Sequence, residues 1–241
     1  MDIRKFAPLA ALGLAAALSA CSSNDISING AKGKPLAELD LSGPPPHGVA
    51  VMGPDKVRIT PGDKLAIHVD GDKDQVAKLR FTLKDGTLGI LREKGLFADG
   101  TPVIITVTMP TPKELLMAGS GSISSPTLAS KAEVSIAGSG DIETPSVAVD
   151  KLEVSIAGSG SYRAGGTVSS LELNIAGSGN GNMAGLKVDK ADVSIAGSGD
   201  AAFASDGRVK ASVIGSGTVR VKGRAQCEVS AMGSGKLVCE P

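Results

Sequence analysis

Residues 151–160 read KLEVSIAGSG, and close copies stand at 131–140 (KAEVSIAGSG), 170–179 (SLELNIAGSG) and 190–199 (KADVSIAGSG). Apolar and polar residues alternate strictly, so Leu152, Val154 and Ile156 share one face while Lys151, Glu153 and Ser155 share the other. A two-residue period of this kind defines a half-buried strand whose apolar face points inward. Gly-Ser-Gly then supplies residues able to take positive φ, so the chain turns a corner at the same point of every copy. The phrase occurs seven times, beginning at Gly119, Gly138, Gly158, Gly177, Gly197, Gly215 and Gly233. A period of about twenty residues is too short for a helical hairpin and corresponds to one coil of a stacked solenoid.

Stacked coils place like on like. Ile136, Ile156, Ile175 and Ile195 form an interior column, and Ala137, Ala157, Ala176 and Ala196 a corner column. The serines of the phrase line the turn. Six residues beyond each first glycine lies a second inward position, filled by Met183, Phe203, Val221 and Cys239 in the later coils and less fully by Thr144 and Ala164. Each strand pairs with the equivalent strand of the next coil, which predicts an all-β fold of parallel sheets wound into a helix. Composition agrees: Gly 32, no Trp, one Tyr and four Phe leave a narrow core of Ile, Val, Leu and Ala.

The chain opens with Arg4 and Lys5, a thirteen-residue apolar run over 6–18, and Leu18-Ser19-Ala20-Cys21. That is the pattern of an export signal, and the run is too short for a comfortable membrane span. Its last four residues resemble the bacterial lipobox, which makes 1–20 a lipoprotein signal peptide and Cys21 the lipidated residue. Several acyl chains anchor a protein stably. Ser22 rather than aspartate after the cysteine points to the outer membrane, and 21–38 reads as a lipidated, flexible tether. Which side of the envelope the protein faces stays open at this stage. Without residues 1–20 the chain has 25 − 2 = 23 basic and 25 − 1 = 24 acidic side chains. Near-neutral charge and scarce aromatics argue against nucleic-acid binding.

Cys227 and Cys239 flank the last Gly-Ser-Gly, both on the inward register. Export permits a disulfide, which would pin shut a terminal coil with no neighbour above it. Without further His or Cys ligands they are no zinc site.

Residues 39–117 lack the Gly-Ser-Gly beat but hold strand-like runs at 56–60, 64–69, 78–84, 87–91 and 103–109, with turn chemistry between them. Lys84-Asp85-Gly86 predicts a hairpin joining Phe81 and Leu83 to Leu88 and Ile90. A helical turn is expected within 74–79. This region is expected to cap the repeats of 118–241 or to form irregular first coils.

Leu41-Ser42-Gly43, the run 57–61 with Gly62-Asp63, Val69-Asp70-Gly71-Asp72, Gly86-Thr87-Leu88, the run 103–110 and the AGSG coils together resemble the bacterial head GIN domain family, described as adhesin heads. The likeness covers nearly all of the chain after Cys21, departing at Pro44-Pro45-Pro46-His47. It implies an exported, often lipidated, right-handed parallel β-helix with no established enzymatic activity.

The chemistry-bearing residues support no catalytic constellation. Glu133, Glu153, Glu172 and Asp192 form an outer carboxylate column, but Lys131, Lys151 and Lys190, with Lys210 continuing, lie beside it and neutralise it. Asp141 and Asp200 follow Gly-Ser-Gly, yet the other copies have Ser122, Ser161, Asn180, Thr218 and Lys236 there, so regular calcium ligation is absent. His68 alternates with Ile67 and Val69 as an outward residue, and His47 follows three prolines in a loop. A carbohydrate-active β-helix would need two carboxylates across a cleft. The expectation is a non-enzymatic envelope protein without cofactor or metal. It presents its head for adhesion or for a protein or glycan ligand, or serves as a structural, self-associating component; oligomeric state is not readable.

Overall fold

The computed structural model describes residues 27–28, 31–93 and 100–241; the signal segment 1–20 and Cys21 lie outside them. In chain order the elements are β1 (Ser27–Ile28), β2 (Ala31–Lys32), β3 (Gly48–Gly53), β4 (Lys56–Pro61), β5 (Ala66–Asp70), α1 (Lys73–Val76), β6 (Leu79–Lys84), β7 (Thr87–Arg92) and β8 (Ile104–Met109). Then come β9 (Glu114–Gly119), β10 (Ser122–Ser124), β11 (Lys131–Gly138), β12 (Asp141–Gly158), β13 (Ser161–Gly177), β14 (Asn180–Gly197), β15 (Asp200–Gly215), β16 (Thr218–Lys222), β17 (Gln226–Gly233) and β18 (Lys236–Glu240). From β12 to β15 each strand bends through nearly a whole coil.

The coils stack in parallel and in register, as the repeat predicts. Ile136 pairs with Ile156, Ile156 with Ile175, and Ile175 with Ile195, all buried. Fully burying such a side chain contributes about 1.5–3 kcal/mol, and no coil can do it alone. Met183, Phe203 and Val221 occupy the second inward column in register and are buried, while Cys239, the next member, is only partly covered. Thr144 and Ala164 precede them, and the volume they leave is complemented by Tyr162, which is fully buried and hydrogen-bonded to the Thr144 hydroxyl at 2.6 Å. Burial pushes the Tyr162 phenol up to about 12, so it stays neutral inside the stack.

Both glycines of each corner are required, for different reasons. The first has φ between +105° and +132° in all seven copies, and a Cβ there would lie 2.2–2.8 Å from the carbonyl oxygen of the matching glycine one rung earlier. From Gly140 onward the second is turned inward, where a Cβ would meet the interior side chain below, for example Ile156 at 2.4 Å from Gly179, and at Gly121 a Cβ would meet the Asp55 backbone oxygen at 2.2 Å. The serine between them is exposed, and its N–H bonds back one rung, as Ser178 does to Gly158 at 2.9 Å.

Residues 39–117 add two rungs rather than only a cap. β3 and β4 form one and β7 and β8 another, and their spatial order inverts their chain order. β3 lies between β7 and β9, and β4 between β8 and β10. The chain therefore completes a rung, passes to the end of the stack, adds an outer rung, and steps over the first to begin the repeats. β5 and β6 run antiparallel to β8 and β7 and close this end. The hairpin through Asp85 and Gly86 forms as predicted, both residues at positive φ. The helical turn falls earlier than expected, at Lys73–Val76, because the Asp72 carboxylate caps the N–H groups of Asp74 and Gln75. The first solenoid strand starts at Gly48, immediately beyond the proline run.

Candidate functional site

The outward surface of the wall from β9 to β17 carries three parallel columns beside the row Lys131, Lys151, Ser170, Lys190 and Arg208. Glu114, Glu133, Glu153, Glu172 and Asp192 stand in register as a carboxylate column. Ser155, Asn174, Ser194, Ser212 and Ser230 form a second, begun by Leu116 and the buried Ser135, and Ala137, Ala157, Ala176 and Ala196 a third, passing into exposed Ile214 and Met232. Rungs repeat at about 4.8 Å, so the surface offers the same chemistry at a fixed spacing.

One position departs from the sequence expectation. Lys210 pairs in register with Asp192, not with Lys190, whose partner is Arg208. β15 carries two residues fewer before its wall segment than β14, and the register shifts after Met183 and Val188 absorb the difference. Lys210 therefore interrupts the carboxylate column and pairs with Glu228 of the next rung at 3.7 Å. The flanking lysines otherwise lie where expected, with Lys151 against Glu153 and Lys190 at 4.0 Å from Asp192. Glu133 is the acid most affected by stacking: partial burial, then the neighbouring Glu114 and Glu153 carboxylates, raise its carboxyl above the ordinary range.

The remaining candidates do not converge. Asp141 faces Arg163 at 3.6 Å, and Asp200 accepts the Thr218 N–H at 2.8 Å, so each turn acid is engaged locally. His68 is exposed on β5 and lies 3.1 Å from its neighbour Asp70. His47 bonds through its backbone to Gly86 and Lys113, with its ring over Gly86. Among the described residues no group of three or more His, Cys, Asp or Glu is placed to hold a metal ion. Cys227 and Cys239 do come together across the terminal rung, Cα to Cα 6.9 Å.

One polar cluster was not anticipated. Asp55 and Arg92, each about 1% exposed, form a two-pronged pair with Arg92 Nε to Asp55 Oδ2 at 2.8 Å and Nη2 to Oδ1 at 2.6 Å. Arg92 also donates to the Gln75 side chain and the Thr101 carbonyl, and Asp55 accepts the Val103 N–H at 3.0 Å. The hydrogen bonds that Arg92 donates to the Asp55 carboxylate raise its guanidinium above its ordinary value, so Arg92 stays charged. It clasps the corner of the β3–β4 rung to α1 and to the segment entering β8. The signal was faint: Gly53-Pro54-Asp55 occupies the place of a Gly-Ser-Gly, with Gly53 in register with Gly119 at φ +130°.

Comparison with known proteins agrees with this geometry. A family model described as "Putative auto-transporter adhesin, head GIN domain" matches residues 45–225. A crystal structure of a "putative adhesin" from Bacteroides fragilis superposes with a TM-score of 0.71 at 21% identity, covering 82% of this chain and 93% of that one. Two proteins from Parabacteroides distasonis are similar. One, called a "putative adhesin", has a TM-score of 0.66 at 22% identity over 83% of this chain and 94% of that one. The other, called a "Putative lipid binding protein", has 0.65 at 24% over 82% and 93%. No curated protein matches the sequence. At these identities the neighbours speak for the fold, whereas the family match spans most of the chain. The chain belongs to the head GIN domain family.

Proposed function

We propose that the protein is a non-catalytic lipoprotein of the bacterial cell envelope, anchored through Cys21, whose solenoid is a binding head for adhesion to a protein or glycan. The observation that carries this reading is the outer wall of columns: carboxylate, hydroxyl and alanine rows run in register along the stack. Such a surface suits an extended partner that makes many weak, repeated contacts. The family's description as an adhesin head favours the same reading. Cys227 and Cys239 are bridged in this account, so the oxidised chain weighs two hydrogens less than the reduced one by intact mass; equal masses would refute the bridge.

The test uses cells expressing the full chain, cells expressing an unrelated lipoprotein, and cells carrying Cys21→Ser. Wild-type cells are expected to be retained on immobilised host cells or glycans above the control, with the protein in the membrane fraction. Cys21→Ser is expected to lose both the membrane fraction and retention. Retention no better than the control rejects the binding reading, and an unchanged membrane fraction in the variant rejects the anchor.

A further inference from the structure

The last rung differs from every rung below it. Val209, Ala211 and Val213 are buried, yet the residues in register above them, Cys227, Val229 and Ala231, are exposed, Val229 by 52%. Among the described residues no strand pairs with the far edge of β17 or β18. The opposite end of the stack is closed by β5 and β6. An open sheet edge with its core in view is a template for another strand.

The backbone of β18 fixes what that strand must do. Lys236 donates its N–H to Gly217 at 3.0 Å, and the Glu240 carbonyl accepts from Gly223 at 2.7 Å. In a parallel ladder alternate residues point their N–H and C=O to the same side, so Leu237 and Cys239 turn theirs to the open edge. The side chains alternate too. Leu237 and Cys239 continue the buried columns of Val219 and Val221, while Lys236, Val238 and Glu240 face outward.

We infer that this end binds a second copy of the chain about a two-fold axis, with the two β18 strands antiparallel and centred on Val238. The sequence of β18 is self-complementary in that arrangement. Leu237 falls opposite Cys239 of the second copy, exchanging the two free pairs of backbone hydrogen bonds. Lys236 falls opposite Glu240 of the second copy, and the axis makes this charge pair twice. The exposed Val229 and Ala231 and the half-buried Leu237 of both copies then cover one another, so a single core runs through the pair. Because a two-fold contact uses the open end of each copy once, addition through this edge stops at two. This inference stands apart from the adhesion reading, since it concerns the end of the stack and not its wall.

Sedimentation equilibrium of the full chain in a density-matched detergent tests it. The expected mass is twice that of the single chain measured in denaturant. Glu240→Lys sets lysine against lysine at both contacts and weakens the dimer about tenfold in dissociation constant. Adding Lys236→Glu to the same chain re-forms the pairs with reversed sign and returns the constant to within about twofold of wild type. A single-chain mass throughout the micromolar range overturns the proposal, as do assemblies larger than two. A dimer insensitive to Glu240→Lys, or weakened by it and not restored by the second change, also overturns it.

Discussion

Replacing Gly197 with alanine, a change of one methyl group, lowers stability by about 3 kcal/mol or more and the melting temperature by roughly 6–12 °C. Two costs combine. The residue sits at φ +132°, a conformation that L side chains rarely adopt, and its new Cβ would lie 2.2 Å from the Gly177 carbonyl oxygen. That oxygen cannot withdraw cheaply, because it accepts the N–H of Ser198 at 2.9 Å. The rungs must separate locally, and the loss extends to the interior contacts of Ile175 with Ile195. Ser198→Ala is the control: the side chain is exposed, so the shift stays within about 0.5 kcal/mol. Thermal and denaturant unfolding of both variants checks the contrast, and comparable effects from the two would mean that the corner is not held by backbone stacking.

The second large effect belongs to the buried pair. Asp55→Ala leaves the Arg92 charge inside the protein without its counter-ion, and breaking a buried pair in this way costs about 3–5 kcal/mol. The damage concentrates at the N-terminal end, because Arg92 and Asp55 tie together α1, the β3–β4 corner and the entry to β8. Adding Arg92→Met removes the stranded charge and recovers much of the loss. Recovery stays incomplete, since the Val103 N–H loses its acceptor in either case. A double-mutant cycle by denaturant unfolding, with amide exchange in β7 and β8 as the local readout, is the measurement. Additive single losses would mean that the two groups do not act as a pair.

How much of this was legible in the sequence follows from how local each feature is. The repeat corners, the Ile column and the hairpin at Asp85-Gly86 depend on residues close in sequence, and each is found where the pattern places it. The register of Lys210 was not legible, because it depends on how β15 takes up a shorter segment against β14. Nor was the inversion of the first rungs, since nothing in 48–61 says that a later strand will lie outside it. The Asp55–Arg92 pair joins residues 37 apart and needs that inversion to exist. The outer columns lie in between: their residues are evident from the repeat, but their alignment with β9 and β17 and the exposed end of the stack come only from the assembled coils.

The central claim is that successive coils lie in register, each touching only its neighbours. Paired cysteines test it directly. Glu153→Cys with Glu172→Cys puts two thiols on adjacent rungs, about 4.8 Å apart in backbone spacing and within disulfide reach. Glu153→Cys with Asp192→Cys puts them two rungs apart, at roughly 10 Å and beyond reach. Under mild oxidation, peptide mapping is expected to find the cross-link in the first pair and not in the second; a cross-link in the second pair alone, or in neither, would contradict the stack.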